Sequence, residues 1–221
     1  MSRLIAIGDI HGCSIALDAL LKEIDPTPED LIVTLGDYID RGPDSAGVID
    51  LLIDLRRKTR LVPIMGNHEE MMLDVLDQQM PYMQWLPHGG VQTLESYDFD
   101  GDMDFLPDDH AAFYDSMGDF YEEDQFFFTH AAYDPALPLT SQSIEALRWT
   151  SIAAGPPPPH PSGKVAVVGH TASREGEIAD YGHLICLDTY CYGGGWLTAM
   201  DVRTRTVHQS TQEGETRTWQ A

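Results

Sequence analysis

Gly36-Asp37-Tyr38-Ile39-Asp40-Arg41-Gly42 follows directly on the apolar run Leu31–Leu35. Two strings of the same build flank it. Gly8-Asp9-Ile10-His11-Gly12 follows Leu4–Ile7, and Gly66-Asn67-His68-Glu69 follows Leu61–Met65. Each run reads as a buried strand that ends in a glycine turn and then presents oxygen and nitrogen side chains. Three strand ends that deliver polar groups to one edge are how an open α/β sheet builds a site.

Helical spacing fills the gaps between these strands. Leu17, Leu20, Leu21 and Ile24 share one helical face, as do Val48, Leu51, Leu52 and Leu55, with Pro43 where a first turn would begin. Met72, Val75 and Leu76 suggest a third helix after His68. A β-α-β-α-β order predicts parallel strands with right-handed crossovers.

Residues 81–119 read as an excursion that forms a small helical cap, with a helix over Asp108–Met117. Its aromatic residues Tyr82, Trp85, Tyr97 and Phe99 are candidates to cover a substrate. Gln125–Thr129 returns to a strand that ends at His130, and a short helix is expected around Ser143–Arg148. Val165–Val168 is another buried strand, ending in Gly169-His170-Thr171. The last runs, Leu184–Asp188, Trp196–Val202 and Thr206–Gln209, look antiparallel and predict a second sheet of their own. Residues 1–221 are read as one domain carrying that insertion.

The 221 residues carry 36 acidic against 13 basic side chains, a net charge of −23. So acidic a surface argues against nucleic acid, whose phosphate backbone is bound through Lys and Arg. No apolar run approaches the roughly 20 residues that span a bilayer, and no basic-plus-apolar leader precedes the first strand. A cytoplasmic, monomeric protein without membrane or nucleic-acid partners is the expectation. Cys13, Cys186 and Cys191 lack paired metal-ligand spacing, which fits a reduced setting.

Five apolar runs end in a potential ligand: Asp9 with His11, then Asp37, Asn67, His130 and His170. Asp and His two apart in an extended segment lie on one side. Asp37 has two oxygens and is the best candidate to bridge two ions. Carboxylate, imidazole and amide without thiolate fit manganese, iron, zinc or related ions better than calcium or Cu(I). Two divalent ions are expected, manganese foremost, with iron, zinc, cobalt or magnesium as alternatives. Two such ions clamp a phosphoryl oxygen and generate hydroxide at neutral pH. His68 is left over as a general acid, Asp40 can orient its imidazole, and Arg41 can grip phosphate, with Asn67 also within its reach.

The three strings match the signatures Gly-Asp-x-His-Gly, Gly-Asp-x-x-Asp-Arg-Gly and Gly-Asn-His-Glu. The chain thereby resembles the metallophosphoesterase superfamily, and within it the small bacterial and phage serine/threonine protein phosphatases of the phosphoprotein phosphatase family. His130 and Gly169-His170-Thr171 resemble the family's two later histidine ligands. The resemblance implies an α/β calcineurin-like metallophosphoesterase fold: two mixed β-sheets packed as a sandwich and flanked by helices. It implies Asp9 and His11 on a first metal, Asp37 bridging, and Asn67, His130 and His170 on a second. It further implies phosphate monoester hydrolysis by direct in-line attack of metal-bound hydroxide, without a covalent phosphoenzyme. Phosphoserine or phosphothreonine proteins and peptides would be substrates, and small aryl phosphates would react in vitro.

Two departures stand out. Relatives carry a second phosphate-binding arginine shortly after a tryptophan; here Trp149 is followed by Thr150, and Arg148 precedes it as a substitute. Relatives read Leu-Asp-Thr-Gly before the last strands; here Tyr190 follows Leu187-Asp188-Thr189 and becomes a candidate substrate contact. Cys191, Tyr192 and the glycines after them resemble dinucleoside polyphosphate hydrolases, the alternative activity. A catalytically silent phospho-binding protein is the alternative of another class. His183 is expected to be structural, and His88, His110, His160 and His208 are expected to face solvent.

Overall fold

The computed structural model describes residues 2–221. The chain opens β1 (Leu4–Ile7), α1 (Ser14–Ile24), β2 (Leu31–Thr34), α2 (Ser45–Arg56), β3 (Arg60–Pro63), α3 (Asn67–Leu76). β1, β2 and β3 are parallel, with Leu4 beside Leu31 and Leu31 beside Arg60, as the alternating pattern predicts. Asp44, one residue after Pro43, caps α2 by accepting the Gly47 amide at 3.0 Å.

Three short helices follow in the excursion: α4 (Tyr82–Trp85), α5 (Gly90–Ser96) and α6 (Asp108–Asp115). A hairpin of β4 (Phe120–Glu123) and β5 (Phe126–Thr129) leads through one wide helical turn, Glu145–Trp149, to β6 (Val165–Val168). Then come β7 (Ala179–Asp180), β8 (Leu184–Cys186), β9 (Leu197–Asp201), β10 (Thr206–Ser210) and β11 (Thr216–Gln220).

The strands form two mixed sheets, in the orders β11-β10-β9-β1-β2-β3 and β4-β5-β6-β8-β7. The late strands depart from expectation. β8 runs parallel to β6 in the second sheet, while β9 and β10 join the first sheet antiparallel to β1. Local alternation marks a strand but does not select its partner. The choice is made by the free edge of β1, which would otherwise leave its backbone groups unpaired.

Alternation along β1 shows why two layers must cover it. Ile5 and Ile7 point into a core with Leu17, Leu20, Val48 and Leu52 of α1 and α2. Leu4 and Ala6 point the other way, onto Phe128, Val167 and Ile185 of the second sheet. The second sheet buries its outer residues Phe127, Ala166 and Val168 under Tyr133, Leu139 and Ile152 of the long connection. No helix among the described residues is long and apolar enough to cross a membrane. The three cysteines are buried and free.

Candidate metal centre

Six parallel strands, three from each sheet, send their carboxyl ends to one place. β1, β2 and β3 lead to Asp9 and His11, Asp37, and Asn67; β5, β6 and β8 lead to His130, His170 and Asp188. Five of these ends carry the residues that the sequence singles out; the sixth, Asp188, also follows an apolar run but is not among them.

His11, Asp37, His130 and His68 are buried, each with under 3% of its surface exposed. Asn67 Oδ1 lies 3.0 Å from His130 Nε2 and 3.0 Å from His170 Nδ1, and those two nitrogens are 3.2 Å apart. Asp37 Oδ1 is 3.3 Å from His130 Nε2, while Asp37 Oδ2 is 3.4 Å from His11 Nε2. Asp37 thus faces the two groups with different oxygens.

The outward ring nitrogens fix the tautomers. His11 Nδ1 donates to the Ile39 carbonyl at 2.8 Å, His130 Nδ1 to Leu35 at 2.7 Å, and His170 Nε2 to Trp149 at 3.1 Å. A carbonyl only accepts, so the proton is outside and the inward nitrogen carries a lone pair. Burial lowers the basicity of all three imidazoles, with His130 brought down to about 4. The amide oxygen, the carboxylate oxygen and two imidazole lone pairs therefore converge with no proton between them. That set repels itself unless a cation lies among it, and its spacing of about 3 Å suits neighbouring ligands on bonds of about 2.1 Å.

Charge points the same way. Burial, then the charges of Asp188 and Asp37, push the Asp9 carboxyl well above its usual range. Burial also raises Asp188 to about 6, and its Oδ2 is buried without a hydrogen-bond partner among the described residues. Burial alone would raise Asp37 too, but the surrounding histidines hold it below the ordinary carboxylate range. Three buried carboxylates share this pocket with Arg41 as the cationic side chain that acts on Asp9. The donor set and the charge fit divalent cations.

Two close groupings result: His11, Asp37 and His68, and Asp37, His130 and His170. Asp9 is in neither grouping. Its two oxygens accept the His170 backbone N–H at 2.9 and 3.1 Å.

The loops carrying these groups are strained and tightly packed. His11, Asp37, Asp40, Arg41 and His170 all have positive φ, between 47° and 71°, at a cost of order 1–3 kcal/mol each. A Cβ on Gly66 would stand 2.2 Å from Asp37 Oδ1, and one on Gly169 would stand 2.0 Å from Asp9 Oδ1. Glycine is required at both for close approach. Glu69 braces the central loop, a role its sequence position did not announce. Its carboxylate accepts the amides of Asp37 at 2.9 Å, Tyr38 at 2.8 Å, Ile39 at 3.3 Å and Gly66 at 3.0 Å.

His68 lies on the first turn of α3. Its Nδ1 donates to Asp40 Oδ2 at 2.6 Å, and its Nε2 is 3.8 Å from Asp37 Oδ2. Burial opposes the charged ring, but Asp37 and Asp40 outweigh it and raise its basicity. Asp40 is fully buried. Arg41 Nη1 donates to His11 Nε2 at 2.9 Å, and its guanidinium lies 4.6 Å above the Tyr192 ring.

Arg148 is engaged elsewhere: it pairs with Asp119 and lies 3.4 Å from Glu70. Tyr190 sits one ring behind the site, 4.7 Å from Tyr192. Tyr192 is the ring beside the site, edge-on to His11 at 4.8 Å. It borders an open groove of 490 Å³ with Arg41, His88, Val91 and Gln92.

Several expected exposures are reversed. His110 is buried and bonds Asp50 and Tyr97 at 3.1 and 2.8 Å; His160 is buried and bonds the Leu137 carbonyl at 3.0 Å. Polar partners inside the fold, invisible to local sequence, make this tolerable. His183 is structural as expected, bonded to the Pro157 carbonyl at 2.8 Å. Trp85, expected over a substrate, is fully buried and bonds Asp40.

The family model for calcineurin-like phosphoesterases matches residues 2–205. Serine/threonine-protein phosphatase 1 of Salmonella typhimurium is 44% identical over 85 residues, 38% of this chain and 37% of that protein. The symmetrical bis(5'-nucleosyl)-tetraphosphatase of an Acidovorax species is 43% identical over 67 residues, 30% of this chain and 23% of that protein. The matched stretch thus spans little more than a third of the first relative and under a quarter of the second. A solved structure described as a proposed diadenosine tetraphosphatase has a TM-score of 0.69 at 22% identity, covering 99% of this chain and 93% of that one. At that identity the likeness is one of fold.

Proposed function

We propose that this chain, which belongs to the calcineurin-like phosphoesterase family, is a metal-dependent phosphate monoester hydrolase acting on phosphoserine and phosphothreonine in proteins. One observation carries the reading: a protonless cluster of inward lone pairs adjoins an oriented imidazole acid and an arginine. Asp9, His11 and Asp37 would hold one ion, and Asp37, Asn67, His130 and His170 the other, with manganese favoured. When bound, the ions supply a Lewis acid for the phosphoryl oxygens and an activated water at neutral pH.

The chain's own groups do the rest. Arg41 can turn from His11 to a phosphate oxygen, and Asn67 lies beside the same position. His68 Nε2, 3.8 Å from Asp37 Oδ2, would protonate the departing oxygen. Asp40 keeps the other ring nitrogen protonated, so the donor cannot switch tautomer. Asp188 and Arg148 are not assigned to phosphate. Residues 81–119 serve as a helical insert in a single catalytic domain, working as a monomer in the cytoplasm.

A second reading, hydrolysis of dinucleoside polyphosphates, draws support from Tyr192. Its ring, stacked on Arg41 beside the open groove, offers a face on which a nucleobase could rest. Asp40 and Glu69, both part of the protein phosphatase signatures matched by this sequence, favour the first reading. The deciding experiment reconstitutes metal-free protein with Mn, Fe, Zn, Co or Mg. Each form is then assayed against a phosphoserine peptide, a phosphotyrosine peptide and diadenosine tetraphosphate. Metal-dependent phosphate release favouring phosphoserine supports the first reading. A nucleotide preference replaces it with the second, and silence on every substrate returns the phospho-binding alternative.

A further inference from the structure

The excursion bonds directly to the Asp40 carboxylate. Its Oδ2, already bonded to His68, also accepts Trp85 Nε1–H at 2.8 Å. Its Oδ1 accepts the Thr93 hydroxyl at 2.6 Å. Thr93 Oγ1 also accepts the Asp40 backbone N–H at 2.9 Å, and the next amide, Arg41, donates to the Gly89 carbonyl at 3.4 Å. Trp85 and Thr93 are both fully buried. The indole is locked from behind, since a Cβ on Gly90 would stand 2.6 Å from it.

These contacts fall on the most strained pair in the site. Asp40 and Arg41 have φ of 71° and 68°, consecutive left-handed residues without glycine. Such a pair persists only where its surroundings over-determine it. A buried carboxylate with one partner could also rotate or leave lone pairs unsatisfied; here three side-chain donors occupy it.

We propose that Trp85 and Thr93 are positioning residues for the proton donor. They hold Asp40, and through it aim His68 Nε2 at the ester oxygen. This rests on the phosphatase reading above. In the assisted step the bond between phosphorus and the ester oxygen breaks, and its electron pair stays on that oxygen. The oxygen takes the His68 proton and leaves as an alcohol, while water supplies the new oxygen on phosphorus and releases a proton to solvent, from which His68 is reprotonated. An alkyl ester such as phosphoserine needs that proton. An ester with an acidic phenol as leaving group hardly does. The helical insert therefore sets which esters the site can cleave.

The test uses the full-length, manganese-loaded protein carrying Trp85→Phe, Thr93→Val or Thr93→Ser. Phosphoserine peptide is compared with 2,4-dinitrophenyl phosphate, and metal content and thermal melting are checked for each variant. Trp85→Phe and Thr93→Val should lower kcat on the peptide by roughly 10- to 100-fold. Their losses on the dinitrophenyl ester should be several-fold smaller, and Thr93→Ser should recover the peptide activity. Equal losses on both esters, or none on the peptide, would overturn the proposal.

The downfield proton resonance of His68 Nδ1, assigned with His68→Asn, gives a readout without turnover. Broadening or loss in Trp85→Phe and Thr93→Val supports positioning; an unchanged line in both overturns it. A wild-type protein that cleaves no phosphate ester would refute the proposed function and leave this readout standing.

Discussion

His68 Nδ1 meets Asp40 Oδ2 at 2.6 Å, and no solvent reaches that carboxylate. The contact spans 28 residues of sequence and joins the start of α3 to the turn after β2. It leaves one imidazole nitrogen committed to the carboxylate and the other free to face the site.

The first prediction concerns that ring. His68→Asn removes the proton donor while keeping a short polar side chain on the helix. Turnover of a phosphoserine peptide should fall by about 10²- to 10⁴-fold. Metal content should hold, because the inward lone pairs of His130 and His170 are untouched. Steady-state kinetics with metal analysis check both points; near-wild-type turnover would remove His68 from the role.

Asp37→Asn tests the shared ligand. Asp37 turns one oxygen to each grouping, so losing its charge should weaken both ions together. Titration calorimetry with manganese should show affinity falling at two sites, by at least about tenfold. Loss at one site alone would contradict the bridging role.

Glu69→Gln alters the brace and not the ligands. Four backbone amides point at the carboxylate, and a side-chain NH2 would oppose at least one of them. A cost of about 1–3 kcal/mol follows from a buried donor left unsatisfied. Urea unfolding in the presence of a chelator should show a lower midpoint at unchanged slope.

The Arg3–Asp30 pair predicts an acid dependence away from the site. Burial pushes Asp30 upward, but hydrogen bonds from Arg3 and Thr27 outweigh it and hold the carboxyl below its usual range. The folded state thus releases this proton more readily than the unfolded chain, whose Asp titrates near about 3.9. The stabilisation is full above that value and is lost as pH falls below it. Asp30→Asn should be less stable by about 1–2 kcal/mol at neutral pH, with the gap closing below about pH 4. Parallel unfolding curves at several pH values measure the gap.

What sequence can show here is the apolar run that ends in a polar side chain. Asp9, His11, Asp37, Asn67, His130 and His170 all follow that rule, and the first sheet's parallel core does too. Asp188 obeys it as well, but its run sits among short strands whose alternation suggested an antiparallel set. The direction of β8 is decided by β6, which lies more than fifteen residues away in the chain. Trp85 and Thr93 carry no local signal. Their roles arise from Asp40, 45 and 53 residues distant, brought close only by packing. Arg148 illustrates the opposite limit: its sequence position suggested phosphate, but Asp119 and Glu70 claim its guanidinium.

The convergence of six strand ends from two sheets also constrains how the protein is made. Asp9 and the amide it accepts at His170 are 161 residues apart. A nascent chain that has exposed only its first half holds Asp9, His11, Asp37 and Asn67 but neither late histidine. The candidate centre therefore comes into being only once the strands of both sheets have been made and the second sheet closes on the first. A chain cut between the two sheets would lack the late histidines, and metal uptake would report that the sheets have joined.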